Sequence, residues 1–257
     1  VVRELPRHCN VAEVEQYLKK NVPDADAWIT LTETSLKNMD GLYTDILKYC
    51  TQGSTDSYET TNRSAIIQSI QQLKDAMYAE GNADSSGRYI FTGYRTDRAL
   101  TFQNDGEING VSYRINQSFT GSDFTTTKYI KNSVDIDNVA AIAAADTPET
   151  QEVYRIRLAY DDCAYDAADA TSLPELTVDG QAYTGTVKAV STQELQDIIS
   201  AGGLADDTAY YVYDKGEIVF SEASQQALGS SSIDVSYRKD SFAKGDLRPE
   251  HYFDCED

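Results

Sequence analysis

Residues Asp26–Met77 read DAWITLTETSLKNMDGLYTDILKYCTQGSTDSYETTNRSAIIQSIQQLKDAM, and the spacing of their apolar side chains decides the fold. Trp28, Thr32, Met39, Leu42, Ile46 and Cys50 recur at steps of three, four or seven, and the pattern runs back through Ala25, Leu18, Val14 and Val11. That is the a/d stripe of an amphipathic helix. Glu13, Glu15, Lys19, Lys20, Glu33, Lys37 and Asp45 fall mostly outside it. Pro23 is expected to kink or break the helix near Val22, because it lacks an N–H and restricts the residue before it. Gly53-Ser54 marks a break, and Asp56 with Glu59 reads as a capping box opening a second helix. Ile66, Ile67, Ile70, Leu73 and Met77 form its stripe, and Gly81-Asn82 ends it. Two long helices with a short connection predict an antiparallel hairpin. Two helices alone leave half of the apolar seam uncovered. A third partner is therefore expected, from a missing part of the chain or from another subunit.

After Gly87 the period changes to two. Tyr89, Phe91 and Gly93 alternate with Arg88, Ile90, Thr92 and Tyr94, which predicts a strand entering a hairpin. Short β segments follow from about residue 103. Val111, Tyr113 and Ile115 form one set; Tyr154, Ile156, Leu158 and Tyr160 form another; Ile233, Val235 and Tyr237 form a third. Two strands flank the Asp214-Lys215-Gly216 turn signal, and one short helix is bounded by a Ser191/Glu194 capping box and Gly202-Gly203. Residues 138–150 read as a loop or helical turn. The predicted class is α+β. A long antiparallel helical stalk with a β-hairpin spans residues 1–102 and 237–257, and a mostly antiparallel β domain is inserted at 103–236.

The chain has 257 residues and a formal net charge of −20. Such a surface repels nucleic acid and anionic lipid, because phosphate binding needs clustered Lys and Arg. No apolar run is long enough to span a bilayer, and no signal peptide is apparent. A start at Val1 leads us to expect a fragment. Cys9, Cys50, Cys163 and Cys255 are far apart, without the short pairings of a closed zinc site. No phosphate loop, dinucleotide fingerprint or hydrolase motif occurs. Asp135 and Asp137 lack the remaining ligands of a calcium loop, and Asp161, Asp162, Asp166 and Asp169 read as a solvated loop. No metal, cofactor or catalytic residue is predicted.

The closing RPEHYFDCED, Arg248–Asp257, concentrates reactive side chains. An extended chain sends Glu250, Tyr252 and Asp254 to one face and His251, Phe253 and Cys255 to the other. His251 and Asp254 then do not converge. His251, Phe253 and Cys255 are packing candidates at a domain junction, with Arg248 and Glu250 as surface or interface charges. The 18 tyrosines suit strand faces and interfaces. Exposed aromatics also fit a secreted carbohydrate-binding or adhesive module, although Trp28, the sole tryptophan, lies on the helical stripe. A metal-dependent enzyme centred on His251 is the third reading.

The helical stretch above, together with GRYIFTGYRTD at Gly87–Asp97, resembles the flagellin superfamily. Within it the chain looks more like the third hook-associated protein family, that of the hook–filament junction. NVAEVEQYLKKNVPDADAW at Asn10–Trp28 and GDLRPEHYFDC at Gly245–Cys255 are similar to members from Gram-positive anaerobes. GRYIFTG separates the junction family from flagellin, the alternative within the superfamily. Where the family often reads T-D-T-P-P-F, this chain has Thr96-Asp97-Arg98-Ala99-Leu100. The resemblance covers roughly residues 1–102 and 237–257 and implies a structural role without catalysis. It implies export through the flagellar type III channel without a cleaved signal, with the help of a cytoplasmic chaperone. It further implies assembly outside the cell as a ring of copies, next to another hook-associated protein and flagellin. The family's terminal helices are expected beyond both ends. On this reading Val14, Leu18, Trp28, Met39, Leu42, Ile46, Ile66, Ile70, Leu73 and Met77 form the stalk seam used at subunit interfaces. Gly87, Arg88, Tyr89, Ile90, Phe91 and Gly93 form the family hairpin. Arg248, His251, Phe253 and Cys255 form the domain junction.

Overall fold

The computed structural model describes Glu15, residues 17–54, 59–131 and 149–256. Val14, His8, Cys9, Asp56, Asp135 and Asp137 lie outside the described residues. The chain has the mixed class predicted from its periodicity: long helices followed by largely antiparallel sheets. It divides into two compact units. Unit 1 comprises Val1–Asn104 and Lys244–His251, and unit 2 comprises Asp105–Ala243 and Tyr252–Asp257. Residue 237 is thus not where the chain leaves the β unit, because Tyr237 lies within a paired strand, and the final residues return to unit 2.

Unit 1 is built on two helices. A π-helical turn at Tyr17–Asn21 precedes α1, Val22–Gly53, and Pro23 occupies the first turn of α1. Pro23 lacks an N–H, and the helix changes from π to α winding just before it, at Val22, where the proline is expected to disturb it. α2, Thr60–Gly81, starts after Glu59 without a side-chain cap. The two helices pack along one another. Half-buried positions on α1 include Trp28, Leu31, Thr32, Met39, Leu42, Ile46 and Tyr49, with Ser35 buried among them. On α2 Ile66 is buried, and Ile70, Leu73 and Met77 are half-buried. Ser35 is the small residue at the heptad position between Thr32 and Met39.

The hairpin after α2 is shorter than its alternation predicts. β1, Asp84–Ser85, pairs with β2, Arg88–Tyr89, across a turn with Ser86 and Gly87 both at positive φ. That is a two-residue hairpin turn, for which the second position favours glycine. Beyond Tyr89 the chain coils instead of extending. Gly93 has φ +61°, Arg95 N donates to Thr92 O, and Tyr89 N donates to Thr96 O. The strand predicted through Tyr94 therefore stops at Tyr89, and Tyr94 is fully exposed.

Unit 2 holds two five-stranded sheets among the described residues. One runs β4 (Thr125–Lys131), β5 (Glu149–Arg157), β10 (Glu217–Phe220), β9 (Thr208–Val212) and β8 (Thr186–Val190). The other runs β12 (Asp254–Glu256), β3 (Tyr113–Phe119), β11 (Ile233–Lys239), β6 (Glu175–Val178) and β7 (Gln181–Ala182). All pairs are antiparallel except β8 with β9. Parallel strands require a crossover, and α3, Thr192–Ala201, supplies it. Ser191 and Glu194 cap α3 reciprocally. Leu195 and Ile199 of α3 join Val153, Val190, Tyr210, Val212 and Val219 in one buried cluster. α4, Glu222–Leu228, follows β10.

β11 alternates strictly, with Ile233, Val235, Tyr237 and Lys239 buried. Lys239 is only 2% exposed. Its Nζ donates to Asp161 O at 2.8 Å and to Asp162 O at 3.1 Å, and lies 5.5 Å from the centre of the Phe242 ring. Asp162 has φ +46°, and Ser241 Oγ also donates to its carbonyl. The ammonium thus satisfies a tight turn whose carbonyls point inward. Replacing Lys239 with Met keeps the length and removes both donors. Asp162 O keeps its bond from Ser241, so loss of about 1–3 kcal/mol of stability is expected for the stranded Asp161 carbonyl, read as a lowered midpoint in urea unfolding.

Candidate assembly surface

α1 carries two apolar stripes. The first contains Met39, Leu42 and Ile46, half-buried on the length of α1 that runs beside α2, and Trp28 further along, beside Arg88. Asn38 Nδ2 donates to Glu80 Oε1 at 2.9 Å between the two helices. Cys50 and Ile67, read from sequence as stripe residues, are exposed, and so is Leu18 in the π-helical turn. The α-helix turns 100° per residue, which carries Cys50 and Ile67 off the line of contact as the stripe advances.

The second stripe escaped the periodicity reading. Val22, Ile29, Leu36 and Tyr43 recur every seven residues, with Leu47 beside them. Ile29 is 65% exposed, Leu36 53% and Tyr43 57%. They lie about a quarter turn around α1 from the α2 contact. The signal was present in the sequence as a second heptad, offset by one residue from Trp28.

Single apolar residues on a surface are ordinary, but a contiguous row is a feature of interaction surfaces. This row has an acidic margin. Asp26, Glu33 and Asp40 follow the same seven-residue step along its outer side. Glu33 also accepts from Lys37 at 2.6 Å, one turn further along α1. α1 therefore offers an apolar face bordered by carboxylates.

The family hairpin meets the start of α1. The Arg88 guanidinium stands 5.4 Å from the centre of the Trp28 ring, a cation–π pair. Asp24, Ala25, Trp28, Ser85 and Arg88 line a cleft of about 370 Å³ beside it. Tyr89, Ile90 and Phe91 are half-buried, whereas Gly87 and Gly93 are exposed at their turns.

The C-terminal segment is not an extended strand throughout. Pro249–His251 forms a 3₁₀ turn, and only Asp254–Glu256 is a strand, pairing Cys255 with Ile115. Arg248 and Glu250 are buried charges rather than surface ones. Arg248 lies over the Phe102 ring at 4.5 Å, and Glu250 pairs with Arg98 at 3.5 Å and Arg248 at 3.8 Å. The turn bends the chain so that Glu250 points inward. His251 Nε2 donates to Ala99 O at 2.9 Å, since a carbonyl can only accept. That bond fixes the neutral tautomer with its proton on Nε2 and leaves Nδ1, buried and without a hydrogen-bond partner among the described residues, as the acceptor nitrogen. His251, Phe253 and Cys255 are each half-buried, but His251 falls in unit 1 and the other two in unit 2. Phe253 packs edge-on against Tyr160. Among the described residues no group of three or more His, Cys, Asp or Glu side chains could hold a metal ion. Within the same residues no helix is long and apolar enough to cross a membrane.

The thiols differ in environment. Cys163 is buried, donates to Tyr160 O at 3.2 Å, and burial pushes its pKa up to about 11. Cys50 is exposed on α1.

By these features the chain is an α+β protein whose long helical hairpin presents an exposed apolar row. No protein-family profile matches the chain, and no curated protein matches it. Among solved structures it is similar to FlgL of Xanthomonas campestris in two crystal forms. Identity is 14% in both, and TM-scores are 0.35 and 0.33. The alignments cover 90% of this chain and 75% and 74% of the respective FlgL chains. Scores of this size do not establish a common fold.

Two outcomes follow from the site geometry. In the folded chain at about pH 8, maleimide should label Cys50 rapidly and leave Cys163 protonated and unlabelled until denaturant is added; mass spectrometry of the labelled peptides reads this directly. Glu250→Gln should cost about 1–3 kcal/mol, because it removes the charge shared by Arg98 and Arg248 while keeping the shape. Thermal unfolding followed by circular dichroism measures that loss.

Proposed function

We propose that the chain is a structural subunit of the bacterial flagellum, forming the junction between hook and filament and required for filament assembly and motility. The observation that carries this reading is the second apolar stripe of α1. A hairpin that leaves such a row exposed is built to be completed by another helix. The resemblance of Asp26–Met77 and Gly87–Asp97 to the junction family gives that surface its biological setting. Charge distribution supports it too. Unit 1 has 13 basic and 16 acidic residues, and unit 2 has 9 basic and 26 acidic. Close packing of many copies is least opposed through the nearly neutral unit.

On this reading unit 1 is the stalk and unit 2 a variable module. Copies form a ring through repeating contacts, beside a second hook-associated protein and flagellin. The chain reaches the flagellum by type III export without a cleaved signal, held by a chaperone beforehand. It performs no catalysis. Deletion of the full-length gene is expected to leave cells with hooks, no filaments, and filament protein shed into the medium. Electron microscopy and immunoblots of the medium check this. Normal filaments would sink the reading, and hooks without shed protein would point to flagellin itself.

A further inference from the structure

We propose that Asn109 is a site of spontaneous covalent modification. The backbone nitrogen of Gly110 attacks the Asn109 side-chain amide, and the asparagine becomes aspartyl and isoaspartyl residues. This goes beyond the assembly reading and does not depend on it.

The nucleophile is the peptide nitrogen of the following residue, after loss of its proton. As it bonds to Cγ of Asn109, the Cγ–Nδ2 bond breaks, and the side-chain nitrogen leaves as ammonia with that proton. Water then opens the five-membered imide at one of its two carbonyls. Its hydroxyl stays on the carbonyl carbon and a proton returns to the nitrogen. Opening at Cγ gives aspartate, and opening at the backbone carbonyl gives isoaspartate. No other reagent is needed.

Such ring closure requires a following residue without a Cβ in the way, an unengaged N–H, an unheld side-chain amide and access for water. Asn109-Gly110 is the sole Asn-Gly pair in the chain. It forms the turn between the helical turn Asp105–Ile108 and β3, both of its residues are exposed, and Gly110 has φ +77°. Val111 N donates to Ile108 O across the turn at 3.2 Å. Neither the Gly110 N–H nor the Asn109 amide makes a hydrogen bond among the described residues.

Other asparagines are held. Asn82 Nδ2 donates to Thr101 Oγ1 at 2.7 Å, its Oδ1 accepts from Thr101 N at 3.0 Å, and the next nitrogen, Ala83 N, donates to Glu80 O. Asn62 precedes Arg63, whose N–H is engaged by Glu59 O. Asn38 lies inside α1 with its amide on Glu80, and Asn116 lies inside β3 with its amide on Asp254. Asp40, Asp105 and Asp179 also precede glycine. They present carboxylates, which resist attack when ionised, and Asp179 is kept ionised by the hydrogen bond from Ser232 N. Each conversion of Asn109 adds a negative charge to unit 2, and the isoaspartyl form adds a backbone carbon just ahead of β3.

The test incubates the full folded chain in heavy-oxygen water at mildly alkaline pH and follows the tryptic peptide Ala99–Arg114 by mass spectrometry, with fragmentation to separate Asn104 from Asn109. Asn109 should lose its amide at least about tenfold faster than Asn82 or Asn116, since glycine alone leaves its nitrogen unshielded by a Cβ. The product should take up one heavy oxygen, contain both isomers, and form faster as hydroxide rises. An isoaspartyl methyltransferase should label it. Asn109→Gln, which needs a larger ring, should leave the peptide unchanged, with circular dichroism as in the parent. Conversion of Asn104 instead, a rate at Asn109 no greater than at Asn82, or aspartate formed without isoaspartate overturns the proposal. None of these outcomes bears on the gene-deletion phenotype.

Discussion

A helix packed against one neighbour can bury only one stripe of its surface. The remainder of unit 1 depends on that limit. α1 and α2 meet along Met39, Leu42, Ile46, Ile66, Ile70 and Leu73. This contact leaves the side of α1 that bears Ile29, Leu36 and Tyr43 in solvent. Each large apolar side chain left in water forgoes roughly 1.5–3 kcal/mol that full burial would supply. A hairpin with four or five such residues in a row is stable but incomplete. The surface proposed for assembly is a direct consequence of a two-helix contact made by a helix with two stripes.

Unit 2 meets a different demand. Its sheets bury most of their apolar side chains against one another and against α3, with Ile130, Tyr165 and Tyr252 left exposed. What it exposes is charge, mostly acidic. Lys239, buried at the end of β11, shows how a turn can be tied to a sheet. The carbonyls of Asp161 and Asp162 accept from its ammonium. The alternation that puts Ile233, Val235 and Tyr237 inside carries Lys239 inside as well.

The class of fold, the two helices, the α3 capping box and the inward set of β11 were legible from local spacing, because burial on one face imposes a period that composition reveals. The stripe around Leu36 was legible in principle and was hidden by a template that allowed one face per helix. The burial of Arg248 and Glu250 was not legible. Nothing local marks a 3₁₀ turn at Pro249–His251, and the partners that hold these charges, Phe102 and Arg98, lie about 150 residues away in sequence. The hairpin misread at Gly87–Tyr94 has a similar cause. Its alternation is real, but Gly93 adopts a left-handed conformation and Tyr89 bonds to Thr96, so the chain turns where the pattern suggests it should run on.

Sequence alone determined the α+β class, the heptad seam of the hairpin, and the residues that resemble the junction family. Periodicity and composition are properties of neighbours along the chain, and those features need nothing else. Tertiary structure decided which apolar stripe of α1 is used and which remains free, where the chain passes between its two units, and that His251 spends its Nε2 on a backbone carbonyl. Each of those depends on what arrives from far along the chain to cover a face or accept a proton, and no local pattern encodes that arrival.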